Sequence, residues 1–294
     1  MGARHFTIAL LVAPPILAAR QPQRPVQNGA LPVVSPDGKR VAFISNIEGN
    51  SDIYVINADG SGRSRVTNTP VAEGAPSWSA DGKEILFSVG RDTARLYTIA
   101  PNGSGQRELT TYLGNGAALS PDGKRIAYTS GKFPNATSTL SALDGASAKQ
   151  LTAGPAFNFA WSPNGKQLAY TLLTAERKVE VWLANADGTS ARRLMENDEK
   201  EGGPQWPAWS PDGKRLAVQV GKYGQNQAEH TAHIWLIDAS TGSKTKLAAH
   251  EKPYLDETPS WLGNDRIVFQ SNRAGRMELW SMKADGTDAK QLTK

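Results

Sequence analysis

His230, His233 and His250 fall close together in the chain, with Glu229, Asp256 and Glu257 near them. Imidazole and carboxylate are donors that a divalent cation accepts, so this grouping is where the chain could hold a metal. Histidines of this kind are more commonly exposed on loops, and no metal or other cofactor is expected. A second set of carboxylates, Glu73 with Asp256 and Glu257, could bind a cation or a basic peptide. The plainer reading is that water solvates them, as it does the acidic run Glu196, Asp198, Glu199 and Glu201. Trp206 and Tyr254 answer to no repeated position and are expected in variable loops; those two, with Tyr223, are aromatic anchors of the type that favours an interface. Glu73, Trp206, Tyr223, Tyr254, Asp256 and Glu257 are therefore the candidate partner-binding residues.

Catalytic constellations are missing from the sequence. There is no Gly-x-Ser-x-Gly elbow and no glycine-rich phosphate loop. The chain has no cysteine, which excludes thiol nucleophiles, disulfides, cysteine-based zinc sites and a lipidated cysteine. With 39% hydrophobic and 21% charged residues in 294, the composition is that of a folded globular protein. The formal charge of +5 is spread over interspersed Lys, Arg, Asp and Glu, so a nucleic-acid partner is not expected.

At the N-terminus, Arg4 and His5 precede an apolar stretch from Phe6 to Leu17, followed by Ala18 and Ala19. That order suits an export signal over residues 1–20 and is too short to span a bilayer. Export to the periplasm or beyond is the expectation. Residues 21–29, rich in Pro and Gln, read as a linker or a segment along a rim.

The elements that would position these residues come from an internal repeat. Ser35-Pro36-Asp37-Gly38 recurs as Ser79-Ala80-Asp81-Gly82, Ser120-Pro121-Asp122-Gly123, Ser162-Pro163-Asn164-Gly165 and Ser210-Pro211-Asp212-Gly213, with a degenerate copy at Leu262-Gly263-Asn264-Asp265. The steps are 44, 41, 42, 48 and 52 residues, the period of a four-stranded propeller blade. Proline at the second position and glycine at the fourth suit a type I turn. After each turn comes a β-rich run apolar on both faces, such as Val41 to Ile44 or Leu216 to Val220, as befits a sheet packed between two others. Its small Ala42, Ala127, Ala169 and Ala217 mark close approach.

A third strand centres on Tyr54, Tyr97, Ser141, Trp182, Trp235 and Trp280. A fourth ends near Val66, Leu109, Leu151, Leu194, Leu247 and Leu292, 12 residues later in five units and 10 in the third. The spacing predicts a tight hairpin and a six-bladed, all-β propeller over residues 30–294. Trp78, Trp161, Trp209 and Trp261 recur beside the first turn and are expected in the core. With strands lettered a to d outward, the a–b and c–d turns are short, whereas the b–c and d–a connections vary. Alternate connections of an antiparallel blade share one end, so the variable loops gather on one face, where recognition is expected. No strand is left over to stitch the last blade to the first.

Ser-Pro-Asp-Gly-Lys-Arg, Ile-Ala-Tyr, Ile-Tyr-Val-Ile-Asn-Ala-Asp-Gly and Gln-Leu-Thr together resemble the propeller repeats of the TolB family, over about residues 29 to 294. Related repeats occur in tricorn-like and dipeptidyl-peptidase-type propellers and in oligogalacturonate lyases. The resemblance implies a stand-alone propeller without the α/β domain that precedes it in TolB proper. It implies a non-catalytic, monomeric interaction module of the bacterial envelope, with a periplasmic partner such as a peptidoglycan-associated lipoprotein. The alternative it raises is a metal-dependent polysaccharide lyase-like enzyme using the blade-five histidines.

Overall fold

The computed structural model describes residues 28–71, 73–90, 94–112, 115–131, 135–152, 154–223, 230–247 and 254–294. The signal expected over residues 1–20, together with Glu229 and His250, lies outside them. The described residues form six antiparallel sheets of four strands each. Blade one is β1 (Ala30–Val34), β2 (Arg40–Ser45), β3 (Asp52–Asn57) and β4 (Ser64–Arg65); blade two is β5 (Ser77–Trp78), β6 (Ile85–Val89), β7 (Ala94–Ile99) and β8 (Arg107–Tyr112). Blade three is β9 (Asn115–Leu119), β10 (Arg125–Ser130), β11 (Thr137–Ala142) and β12 (Lys149–Thr152); blade four is β13 (Ala156–Trp161), β14 (Gln167–Leu173), β15 (Val179–Asn185) and β16 (Arg192–Met195). Blade five is β17 (Gly203–Trp209), β18 (Arg215–Lys222), β19 (Thr231–Asp238) and β20 (Lys244–Lys246); blade six is β21 (Asp256–Leu262), β22 (Arg266–Ser271), β23 (Glu278–Lys283) and β24 (Lys290–Gln291). The six-bladed propeller read from the repeat is the observed fold.

The a–b turns of blades one to five are built the same way. In the first, the Gly38 amide donates to the Ser35 carbonyl at 2.8 Å, and Asp37 accepts from the Ser35 hydroxyl at 2.6 Å and the Lys39 amide at 3.0 Å. Gly38 has φ 69°, a conformation that costs glycine little. The serine hydroxyl and the lysine amide hold Asp37, Asp81 and Asp122 below the usual carboxylate range.

Between blades, a tryptophan meets an alanine. Ala42 shares a buried cluster with Trp78, Ala127 with Trp161, Ala169 with Trp209 and Ala217 with Trp261, in each case the second strand of one blade against the first strand of the next. Those alanines are fully buried, and the missing bulk admits the indole. Each indole N–H donates to a carbonyl of the preceding blade: Trp78 to Val33 at 2.9 Å, Trp161 to Ala118 at 3.1 Å, Trp209 to Ala160 at 3.1 Å and Trp261 to Ala208 at 3.0 Å. Arg40, Arg125 and Arg215 lie over Trp78, Trp161 and Trp261 at 4.6–4.8 Å from the ring centroids. The recurring tryptophans are core packing, as expected.

Among the described residues the ring closes without exchange of a strand, because blade one is wholly N-terminal and blade six wholly C-terminal. Side chains and one backbone bond do the joining. The Asn28 amide N–H donates to the Met277 carbonyl at 3.1 Å, and the Asn28 side chain donates to Glu278 at 2.9 Å and to the Lys294 carbonyl at 2.9 Å. Gly29 lies against blade six so closely that a Cβ there would stand 2.6 Å from Leu279.

Candidate functional site

The innermost strands surround a central cavity of about 1010 Å3. Its wall is shaped by one irregularity repeated around the ring. In blade five Gln205 pairs with Gln219 and Ala208 with Ala217, so Trp206 and Pro207 together face Val218. The same two-against-one bulge occurs in blades one, three, four and six. Its first residue has a positive φ in every case: Leu31 52°, Gly116 61°, Asn158 54°, Trp206 54° and Thr258 48°. A bulge bends the strand and re-aims a side chain. Here Leu31, Asn158, Trp206 and Thr258 all line the cavity. Left-handed backbone is strained for Trp and for β-branched Thr, and such strain concentrates where a chain binds or reacts.

Two glutamines brace this ring. Gln219 of β18 accepts from the Thr258 amide of the next blade at 2.9 Å, and Gln270 of β22 accepts from the Leu31 amide across the closing seam at 2.9 Å. The Gln270 side-chain N–H donates to Glu257 at 2.7 Å, and the Tyr223 hydroxyl donates to the same carboxylate at 2.7 Å. Gln219 in turn donates to the Tyr223 oxygen. Burial, and then the charge of Glu257, push the Tyr223 phenol far above its ordinary value, so it stays a donor. The other end of the cavity reaches the a–b turns, where Asp37, Asp81 and Asp122 line the wall. The cavity thus combines an apolar wall with a mouth that carries negative charge.

The sequence-derived candidates separate in space. Trp206 was expected in a variable loop and instead stands inside β17, at the bulge position shared with Leu31, Asn158 and Thr258. It belongs to the repeat through backbone geometry: Leu31, Asn158, Trp206 and Thr258 each stand three positions before Val34, Trp161, Trp209 and Trp261. Tyr223 is 45% exposed, with its hydroxyl turned inward. Glu257 is buried in the network just described. Asp256, read as a solvated carboxylate, is 2% exposed and accepts from Ser271 at 2.8 Å and from Arg273 at 2.6 Å. Its role is to hold blade six together. Tyr254 lies against the same arginine, 5.8 Å from the ring centroid. Glu73 was also read as solvated and is 7% exposed; it accepts from the Thr69 hydroxyl at 2.6 Å, and burial pushes its carboxyl up.

His233 lies in β19, and His230 meets Tyr223 edge-on with centroids 5.4 Å apart. No group of three or more His, Cys, Asp or Glu that could hold a metal is found among the described residues. No helix among them is long and apolar enough to cross a membrane. Sequence reasoning missed Leu31, Asn158, Thr258, Gln219 and Gln270. The available signal was register: each bulge residue stands three positions before the residue at the tryptophan site.

Six four-stranded blades around a lined axial cavity define a β-propeller in which strand a forms the wall. The chain matches the TolB beta propeller domain over residues 22–206 and 140–294, and it belongs to that family. It is 28% identical over 276 residues to dipeptidyl-peptidase 5 of Porphyromonas endodontalis, covering 87% of this chain and 37% of that protein. The chain therefore spans less than two-fifths of the length of that relative. Among solved structures, TolB from Acinetobacter baumannii superposes with a TM-score of 0.68 at 19% identity, covering 85% of this chain and 62% of that one. The putative TolB from Agrobacterium tumefaciens superposes with a TM-score of 0.64 at 23% identity, covering 79% and 84%. Both likenesses concern the fold.

Proposed function

We propose that the protein is a non-catalytic interaction module of the bacterial envelope, exported to the periplasm, which receives a segment of a protein partner in its axial cavity. The observation that carries this reading is Trp206. It presents a large, half-buried aromatic side chain on the wall of the axial cavity, at a bulge whose equivalents in other blades carry Leu, Gly, Asn and Thr. Negative charge from Asp37, Asp81 and Asp122 at the mouth favours a segment with basic groups. The resemblance to TolB repeats supports the envelope location and a lipoprotein partner.

The test is capture from an envelope extract by the wild-type protein and by Trp206→Ala. The alanine variant should keep the wild-type thermal transition and lose at least tenfold in capture of the protein that the wild type retains, since a central aromatic anchor carries about 2 kcal/mol or more. Equal capture by both would defeat the proposal.

A further inference from the structure

One of the six gaps between blades lacks its tryptophan and remains open. At the position of Trp78, Trp161, Trp209 and Trp261, blade three carries Leu119. The facing position on blade two, alanine in front of each of those indoles, is Leu86. This exchange does not fill the gap. Leu86 is buried and Leu109, Leu119 and Leu143 pack on its cluster without closing it, since all four still line the axial cavity, and a further void of about 20 Å3 touches Ser77, Leu86 and Leu119. Blade one also lacks the tryptophan, with Val34 in its place, but there Leu262 packs on the same cluster as Val34 and is not part of the cavity wall.

We infer that the cleft between blades two and three is a pocket for an indole ring presented by a ligand, seated as the chain's own tryptophans are seated in the four equivalent gaps. The repeat defines the contacts. Each internal indole donates to the carbonyl of the residue before the tryptophan site in the preceding blade, and the equivalent acceptor on blade two is the Ser77 carbonyl. Ser77 lines both the cavity and the void. The apolar faces of the ring would meet Leu86, Leu119 and Leu143. Where Arg40, Arg125 and Arg215 cover the internal indoles, blade two has Glu84, bonded to Arg107 at 2.9 Å, and both line the outer edge of the cavity. The pocket is defined without reference to Trp206, so this inference and the capture experiment fail separately.

Titration of methyl-labelled protein with indole and with 1-methylindole provides the test. Indole should shift the Leu86, Leu119 and Leu143 methyl signals saturably, with a dissociation constant of about 1 mM for so small a ligand. 1-Methylindole, which has no N–H, should bind at least fivefold more weakly. The double variant Leu86→Ala/Leu119→Trp restores the internal Ala–Trp pair and should lose the indole response. Leu119→Ala, which only enlarges the pocket, should keep it, so the pocket is still probed if the double variant does not fold. Shifts confined to other methyls, equal binding of the two ligands, or an unchanged response in the folded double variant would each overturn the inference.

Discussion

The side-chain amide of Asn28 donates to the carboxylate of Glu278 at 2.9 Å, across 250 residues of sequence. Both side chains are buried, and Glu278 also accepts from the Thr293 hydroxyl while Arg276 pairs with it. A buried carboxylate needs such partners, because leaving one unsatisfied costs more than the bond itself contributes. The first described residue therefore satisfies the charge that anchors the last blade.

Replacing Asn28 by Ala removes these donors without touching any strand. The expected result is a loss of about 2 kcal/mol, read as a lower urea midpoint. Amide exchange should accelerate first in blades one and six. Uniform acceleration in all six blades would contradict seam closure by Asn28.

Trp209→Phe keeps an aromatic ring in the gap between blades four and five but leaves the Ala160 carbonyl without its indole donor. Lost packing and the lost hydrogen bond together predict a destabilisation of about 2 kcal/mol. A second substitution, Ala169→Val, should recover part of it by refilling the space on the facing strand, and a double-mutant cycle measures that coupling.

Glu73 offers a prediction in pH. Burial raises its folded value, so the native state retains a proton that the unfolded chain releases, and stability falls as pH rises from the unfolded value of about 4.3 through the folded one. Glu73→Gln should match the wild type near pH 4 and exceed it increasingly above that, with the difference levelling once Glu73 is ionised in both states. Thermal scans from pH 4 to 8 would show a constant difference if Glu73 were solvated.

Much of the architecture was legible because a tight turn constrains residue type. Ser-Pro-Asp-Gly at a steady period announced six blades, and Trp78, Trp161, Trp209 and Trp261 beside those turns announced the packing between them. The bulges were not legible, because Leu31, Asn158, Trp206 and Thr258 share a backbone angle and no side-chain chemistry. Trp206 accordingly looked like a loop residue. Asp256 and Glu73 looked solvated because their burial depends on Arg273 and Thr69, which reach them through the fold. Leu119 lay in plain sight beside its turn, but its meaning depends on the carbonyl and the cleft across from it.

Among the described residues no strand is exchanged at the seam, and this gives the ring a mechanical character. Over the described residues its connectivity is a row of six units whose ends meet, with no strand passed from one end to the other. Tension applied at the termini would load the Asn28–Glu278 contact before any ladder of backbone bonds, so the circle would part there first and the remaining blades would peel away in sequence from either side.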